Sequence, residues 1–178
     1  MPGPLTLEQI IHFLLGAPMF GDLDPAELSQ IVHILQIQFV RPGHVIFRQG
    51  QPGDAWYVVF RGAVEVYTEE PDGSERVLAT NGPQGCFGEM AILDGSPRSA
   101  SARASEASTV FRFPRSDFNE LLASNNIAAY KLVYHMAQVL AARQRQTTAR
   151  LVETLRQRDD DELYEGLGPI VHDSSRSE

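Results

Sequence analysis

The sequence predicts an α+β chain, helical at both ends, with a middle of short antiparallel strands closed into a barrel or sandwich. Three observations carry that reading. Between residues 37 and 113 short apolar runs recur at close intervals, and nearly every run ends at a Gly or Pro turn. No helical stretch of crossover length separates them, which argues against a parallel sheet. On either side, apolar residues recur three and four apart, the period of a helix with one buried face.

Each element has a local reason. Thr6 with Gln9 three residues on is a capping box, and Leu7, Ile10, Ile11, Leu14 and Leu15 follow at helical spacing until Gly16 and Pro18. Asp24 then Pro25 starts a second helix with Leu28, Ile31, Val32 and Leu35 as its buried face. Strand texture follows: Ile37–Val40, Val45–Phe47, Trp56–Phe60, Val64–Thr68, Arg76–Ala79, Ala100–Ala104 and Thr109–Phe113. Trp56 and Tyr57 read as core and strand packing, and Cys86 as a small buried hydrophobe. Phe118, Leu121 and Leu122 mark a short helix ending near Asn125-Asn126. From Ile127 to about Arg158 there is neither Gly nor Pro, which predicts one long helix. Asp159-Asp160-Asp161-Glu162 opposes the dipole at a helix C-terminus, so the expected segmentation is 1–36 helices, 37–113 strands, 114–158 helices and 159–178 an acidic flexible tail.

Composition narrows the function. The chain has 178 residues and a formal net charge of −8, a poor balance for wrapping a polyanion such as DNA. A small anion remains possible, since local groups outweigh distant charge screened over roughly 10 Å. One cysteine excludes an internal disulfide framework, which fits a reducing, cytoplasmic setting. The longest early apolar run, Ile10–Leu15, is too short to span a membrane. Five histidines (12, 33, 44, 135, 172) show no ligand spacing, and no Ser/His/Asp or paired-carboxylate arrangement has local support. No metal, no cofactor and no catalysis are expected.

The chemistry concentrates at residues 85–101, Gly-Cys-Phe-Gly-Glu-Met-Ala-Ile-Leu-Asp-Gly-Ser-Pro-Arg-Ser-Ala-Ser. Gly85 and Gly88 permit positive φ and close backbone approach. Glu89–Leu93 suits one helical turn whose first amides face an anion. Arg98 can grip phosphate oxygens bidentately, Ser99 adds a hydroxyl, and Glu89 is an acceptor for sugar hydroxyls. A structural Glu89–Arg98 ion pair around a turn is the plain alternative.

Taken with Gly43-x-x-Ile46-x-x-x-Gly50 and Trp56-Tyr57-Val58-Val59-x-x-Gly62-x-Val64-x-Val66, the Phe87-Gly88-Glu89…Pro97-Arg98-Ser99-Ala100 run resembles the cyclic nucleotide-binding domain family. That family includes the bacterial catabolite activator and the regulatory subunits of cyclic-AMP-dependent protein kinase. The resemblance covers about Phe20 to Arg150. It implies an antiparallel β-roll, jelly-roll-like, with flanking helices and a ligand, cAMP or cGMP, held by Gly88, Glu89, Met90, Ala91, Arg98, Ser99 and Ala100. By gapless counting the base would meet Arg143 and Gln144 on the long helix, where the bacterial activator has hydroxyl residues, so the choice of base stays open.

The resemblance also implies a receptor that moves its C-terminal helix about a hinge near Asn125-Asn126. With no room after Arg158 for a DNA-reading module, the chain reads as complete and stand-alone, its output an effector protein. A homodimer through the long helix is expected, along Val133, Met136, Leu140, Arg143, Thr147, Leu151 and Leu155. The competing readings are a ligand-free interaction scaffold and a cyclic di-GMP receptor.

Overall fold

The computed structural model describes residues 5–166 and side chains as far as Gln157. Both N-terminal helices begin where their caps predict. In α1 (Leu7–Leu15) the Thr6 hydroxyl accepts from the Gln9 amide at 3.3 Å while the Gln9 side chain accepts from the Thr6 amide at 2.9 Å. In α2 (Pro25–Val32) Asp24 and Glu27 make the same reciprocal pair at 2.8 and 3.1 Å. Each cap contributes on the order of 1 kcal/mol. Between them Pro18–Phe20 forms a 3-10 turn that periodicity did not foresee, and it buries Met19 and Phe20.

Eight strands form two antiparallel four-stranded sheets: β1 (Gln36–Val40), β2 (Val45–Phe47), β3 (Ala55–Arg61), β4 (Val64–Glu69), β5 (Glu75–Asn81), β6 (Cys86–Phe87), β7 (Ser101–Ala104) and β8 (Ser108–Pro114). The orders are β1-β8-β3-β6 and β2-β7-β4-β5. This is an antiparallel β-roll flanked by N-terminal helices and a long C-terminal helix. Alternation along the strands assigns the faces. Ala55, Tyr57, Val59, Phe87 and Val110 of the first sheet pack inward with Phe47, Val64, Ala102 and Ala104 of the second. The outer face of the first sheet carries Trp56, Val58, Phe111 and Phe113, all fully buried. There Trp56 stacks on Phe113 with centroids 4.1 Å apart. Phe20 and Phe118 close over Trp56 at 5.8 and 6.4 Å, and Phe13 of α1 meets Phe60 and Phe111 edge-on at 4.8 and 5.8 Å.

The strands lead through α4 (Arg115–Ala123) to Asn125, which sits in the left-handed region at φ 58. Asn126 then caps α5 (Ile127–Gly166), accepting from the Ala129 amide at 3.0 Å. The start of α5 is tied to α2 and the loop before it. Asn126 donates to Gln30, Lys131 pairs with Glu27, and His135 Nδ1 lies 2.8 Å from Asp22.

The chain divides into two compact units, Met1–Ala137 and Gln138–Glu178. Helix α5 does not stop at Arg158 but runs on to Gly166. Acidic residues near a helix C-terminus cost only about 0.3–1 kcal/mol each, and no breaker intervenes before that glycine. Residues 159–166 of the expected flexible tail are therefore helical, and 167–178 lie outside the described residues. Met136, expected on a dimer seam, is fully buried and leaves that seam, whereas Leu151, Val152 and Leu155 are exposed.

Candidate functional site

The loop between β6 and β7 gathers the expected ligand residues of the first unit. Its anchor is Arg98, whose side chain is 1% exposed. Backbone bonds fix its position: the Arg98 amide donates to the Gln51 carbonyl at 2.8 Å, and its carbonyl accepts from the Gly50 amide at 2.9 Å. The guanidinium lies 4.0 Å from the centroid of the Phe47 ring, a cation–π contact made stronger by burial. It donates from Nη1 to the Gly88 carbonyl at 2.8 Å and from Nη2 to the Ala55 carbonyl at 2.6 Å and to Asp54 at 3.2 Å. Its Nε is buried with no hydrogen-bond partner.

The glycines of this loop have separate reasons. Gly88 has φ 78, and a Cβ there would lie 2.7 Å from Arg98 Nη1 and 3.3 Å from the Phe47 ring. Only a glycine lets the arginine pass. Gly85, in contrast to the sequence expectation, does not adopt positive φ; its neighbour Gln84 does, at 69. Gly85 is required for space, since a Cβ would meet the Gly82 carbonyl at 2.8 Å.

Glu89 is buried and occupies the N-cap position of α3 (Met90–Leu93), the single turn expected there. Ala91 is buried against Gly53, Met90 is half exposed, Ser99 is exposed and Ala100 is buried. Arg143 and Gln144 lie on α5 within the second unit. Asp54 supplies a carboxylate to Arg98 at 3.2 Å.

Asp54 is the residue that sequence reasoning passed over, as one more polar turn position. One of its oxygens faces Arg98 at 3.2 Å and the other accepts from Arg112 at 2.8 Å. Partial burial works to raise its pKa, but the hydrogen bond and charge of Arg112 and the charge of Arg98 prevail and hold the carboxyl below its usual value. Burial draws Arg98 below the usual arginine value, opposed by Tyr57 and Asp54. An arginine stays charged through such a shift. The inner row beside it, Phe47–Ala102–Val66–Ala79 across the second sheet, carries only a methyl at two of its four places.

A buried cation with its Nε–H unused, framed by carbonyls and small side chains, suits an anion small enough to enter the roll. Among the described residues no group of His, Cys, Asp or Glu could hold a metal ion. Nor is any helix there long and apolar enough to cross a membrane.

Comparison with known proteins points the same way. Residues 37–125 match the family model "Cyclic nucleotide-binding domain". The chain is 35% identical over 163 residues to the cyclic AMP receptor protein of Thermus thermophilus, covering 87% of this chain and 74% of that one. A crystal structure of a cyclic nucleotide-binding domain from Methylobacillus flagellatus superposes with a TM-score of 0.71 at 27% identity, over 83% of each chain. The regulatory domain of Toxoplasma gondii PKA, crystallised with cAMP, superposes with a TM-score of 0.59 at 29% identity, over 64% of this chain and 43% of that one. The chain spans under two thirds of the length of several longer regulators and channels that it matches. By fold, by the residues around its buried arginine and by these likenesses, the chain belongs to the cyclic nucleotide-binding domain family.

Proposed function

We propose that this chain is a receptor for a purine 3′,5′-cyclic nucleotide, cAMP or cGMP, rather than an enzyme. The observation that supports it is the unpartnered Nε of Arg98, a buried charged donor held at a fixed place beside Gly88. In this reading Arg98 takes the cyclic phosphate, with Ser99 and the backbone of Met90, Ala91 and Ala100 around it. Glu89 and the Gly88 backbone take the ribose, and Arg143 and Gln144 meet the base. An arginine at the base can stack on a purine or bond its edge, so it serves either nucleotide.

Binding would then shift α5 about Asn125, whose left-handed backbone marks the joint, and present the helix to an effector protein. Such output requires unequal affinity for two helix positions, because tight binding alone shifts nothing. A homodimer through the exposed Leu151, Val152 and Leu155, and a cytoplasmic setting, belong to the same proposal.

Equilibrium unfolding with cAMP, cGMP or cyclic di-GMP tests it. A mononucleotide at a hundred times its Kd should add about 2.7 kcal/mol of stability, and Arg98→Lys, which keeps the charge but loses the fork, should abolish most of that gain. No gain with any nucleotide sinks the receptor reading and favours a ligand-free scaffold. A cyclic di-GMP response that survives Arg98→Lys replaces it with a dinucleotide receptor.

A further inference from the structure

The four edge strands of the two sheets are not equally protected. At one end of the first sheet β6 has two residues, and in the second sheet β2 has three and a register shift. The other edge of the second sheet, β5, is bulged against β4 and carries Glu75 and Arg76, with Glu75 engaged by Arg103. Such shortness, bulging and charge keep edges from pairing with other chains. The remaining edge, β1, has none of them. Its five residues Gln36-Ile37-Gln38-Phe39-Val40 hold no charge, proline or glycine, and its ladder with β8 runs without a register shift. Phe39 is 84% exposed and Ile37, on the same outer face, 39%. The aromatic layer that buries Trp56 and Phe113 on that face leaves β1 bare.

We propose that β1 is a contact through which two copies of this chain associate, antiparallel and edge to edge about a twofold axis through Gln38. The register is self-complementary. Ile37 of each copy faces Phe39 of the other, giving two identical pairs of β-branched and aromatic residues on the outer face. On the inner face Gln38 meets Gln38, and Gln36 meets Val40. A groove of about 570 Å³ adjoins the inner side of the strand at Gln38 and Val40 and runs inward past Arg112 to Asp54 and Tyr57. An unrelated strand would have to supply the same aromatic and β-branched order, whereas a second copy brings it by symmetry. Five paired residues bury less than the roughly 800 Å² per partner of a stable complex, so the contact is weak. A net charge of −8 on each copy opposes it, and added salt strengthens it.

Sedimentation equilibrium of the full chain, with and without Phe39→Lys, reads the contact directly. The lysine should weaken self-association about tenfold or more and leave the melting temperature and the nucleotide response unchanged. Independently, Gln38→Cys should give a disulfide-linked dimer under mild oxidation, since position 38 lies on the axis and native Cys86 is buried. Val77→Cys, exposed on the guarded β5 edge, should not. The proposal is overturned if the wild type stays monomeric throughout, if Gln38→Cys does not cross-link, or if Phe39→Lys leaves the mass unchanged while Leu151→Lys lowers it. The last result assigns association to α5. None of these outcomes depends on nucleotide binding.

Discussion

The two sheets of the roll use their side chains in opposite ways. The outer face of the first sheet is filled with rings: Trp56, Phe111 and Phe113 from the strands, Phe13, Phe20 and Phe118 from the helices, in stacked and edge-on contact. The inner face of the second sheet carries the small Ala102 and Ala104 beside Phe47 and Val64, and a buried arginine lies over the Phe47 ring. The difference teaches where each kind of free energy is invested. The ring layer holds helices to the roll and has no chemistry to offer, whereas the alanine side holds a charge at the cost of weaker packing.

Three perturbations test that division, beginning with the strongest. Phe113→Ala removes the ring stacked on Trp56 and should lower stability by about 3–5 kcal/mol in urea unfolding, while any nucleotide-induced gain persists in what remains folded. Ala102→Leu adds bulk on the inner row next to Phe47 and should cost about 1–3 kcal/mol, yet abolish the nucleotide response that Phe113→Ala preserves. If both variants lose ligand in proportion to stability alone, the two sides are not functionally distinct.

The smallest effect is at Asp54, which joins the two sides through Arg98 and Arg112. Its folded pKa is depressed, so its contribution is present above the unfolded value of 3.8 and is lost as pH falls through the lower folded value. Thermal melts from pH 6 down to pH 3 should show a shallower acid decline for Asp54→Asn than for the wild type. An identical decline would remove Asp54 from the network.

Much of this was readable in the chain. The Thr6–Gln9 capping box, the Asp24 cap, the alternation begun at Val64 and the single turn at Met90–Leu93 follow from local rules that tertiary contacts do not override. The need for glycine at 88 was legible, but its particular cause, the passage of Arg98, involves a residue ten positions away. Gly85 shows the limit of such reasoning. Space and dihedral freedom both select glycine, and only the fold reveals that the positive φ falls on Gln84. Asp54 could not be found, because a turn aspartate looks the same whether it faces water or two arginines. The bare edge of β1 was equally hidden, since which strand ends a sheet is a property of topology and not of the strand.

The unmatched Nε of Arg98 reaches beyond recognition. A buried donor without an acceptor costs about 1–3 kcal/mol, a sizeable share of the net stability of a domain this small. Any anion that satisfied it would lower the fraction of chains open to proteases at a given moment. Cellular lifetime would then track the concentration of that anion.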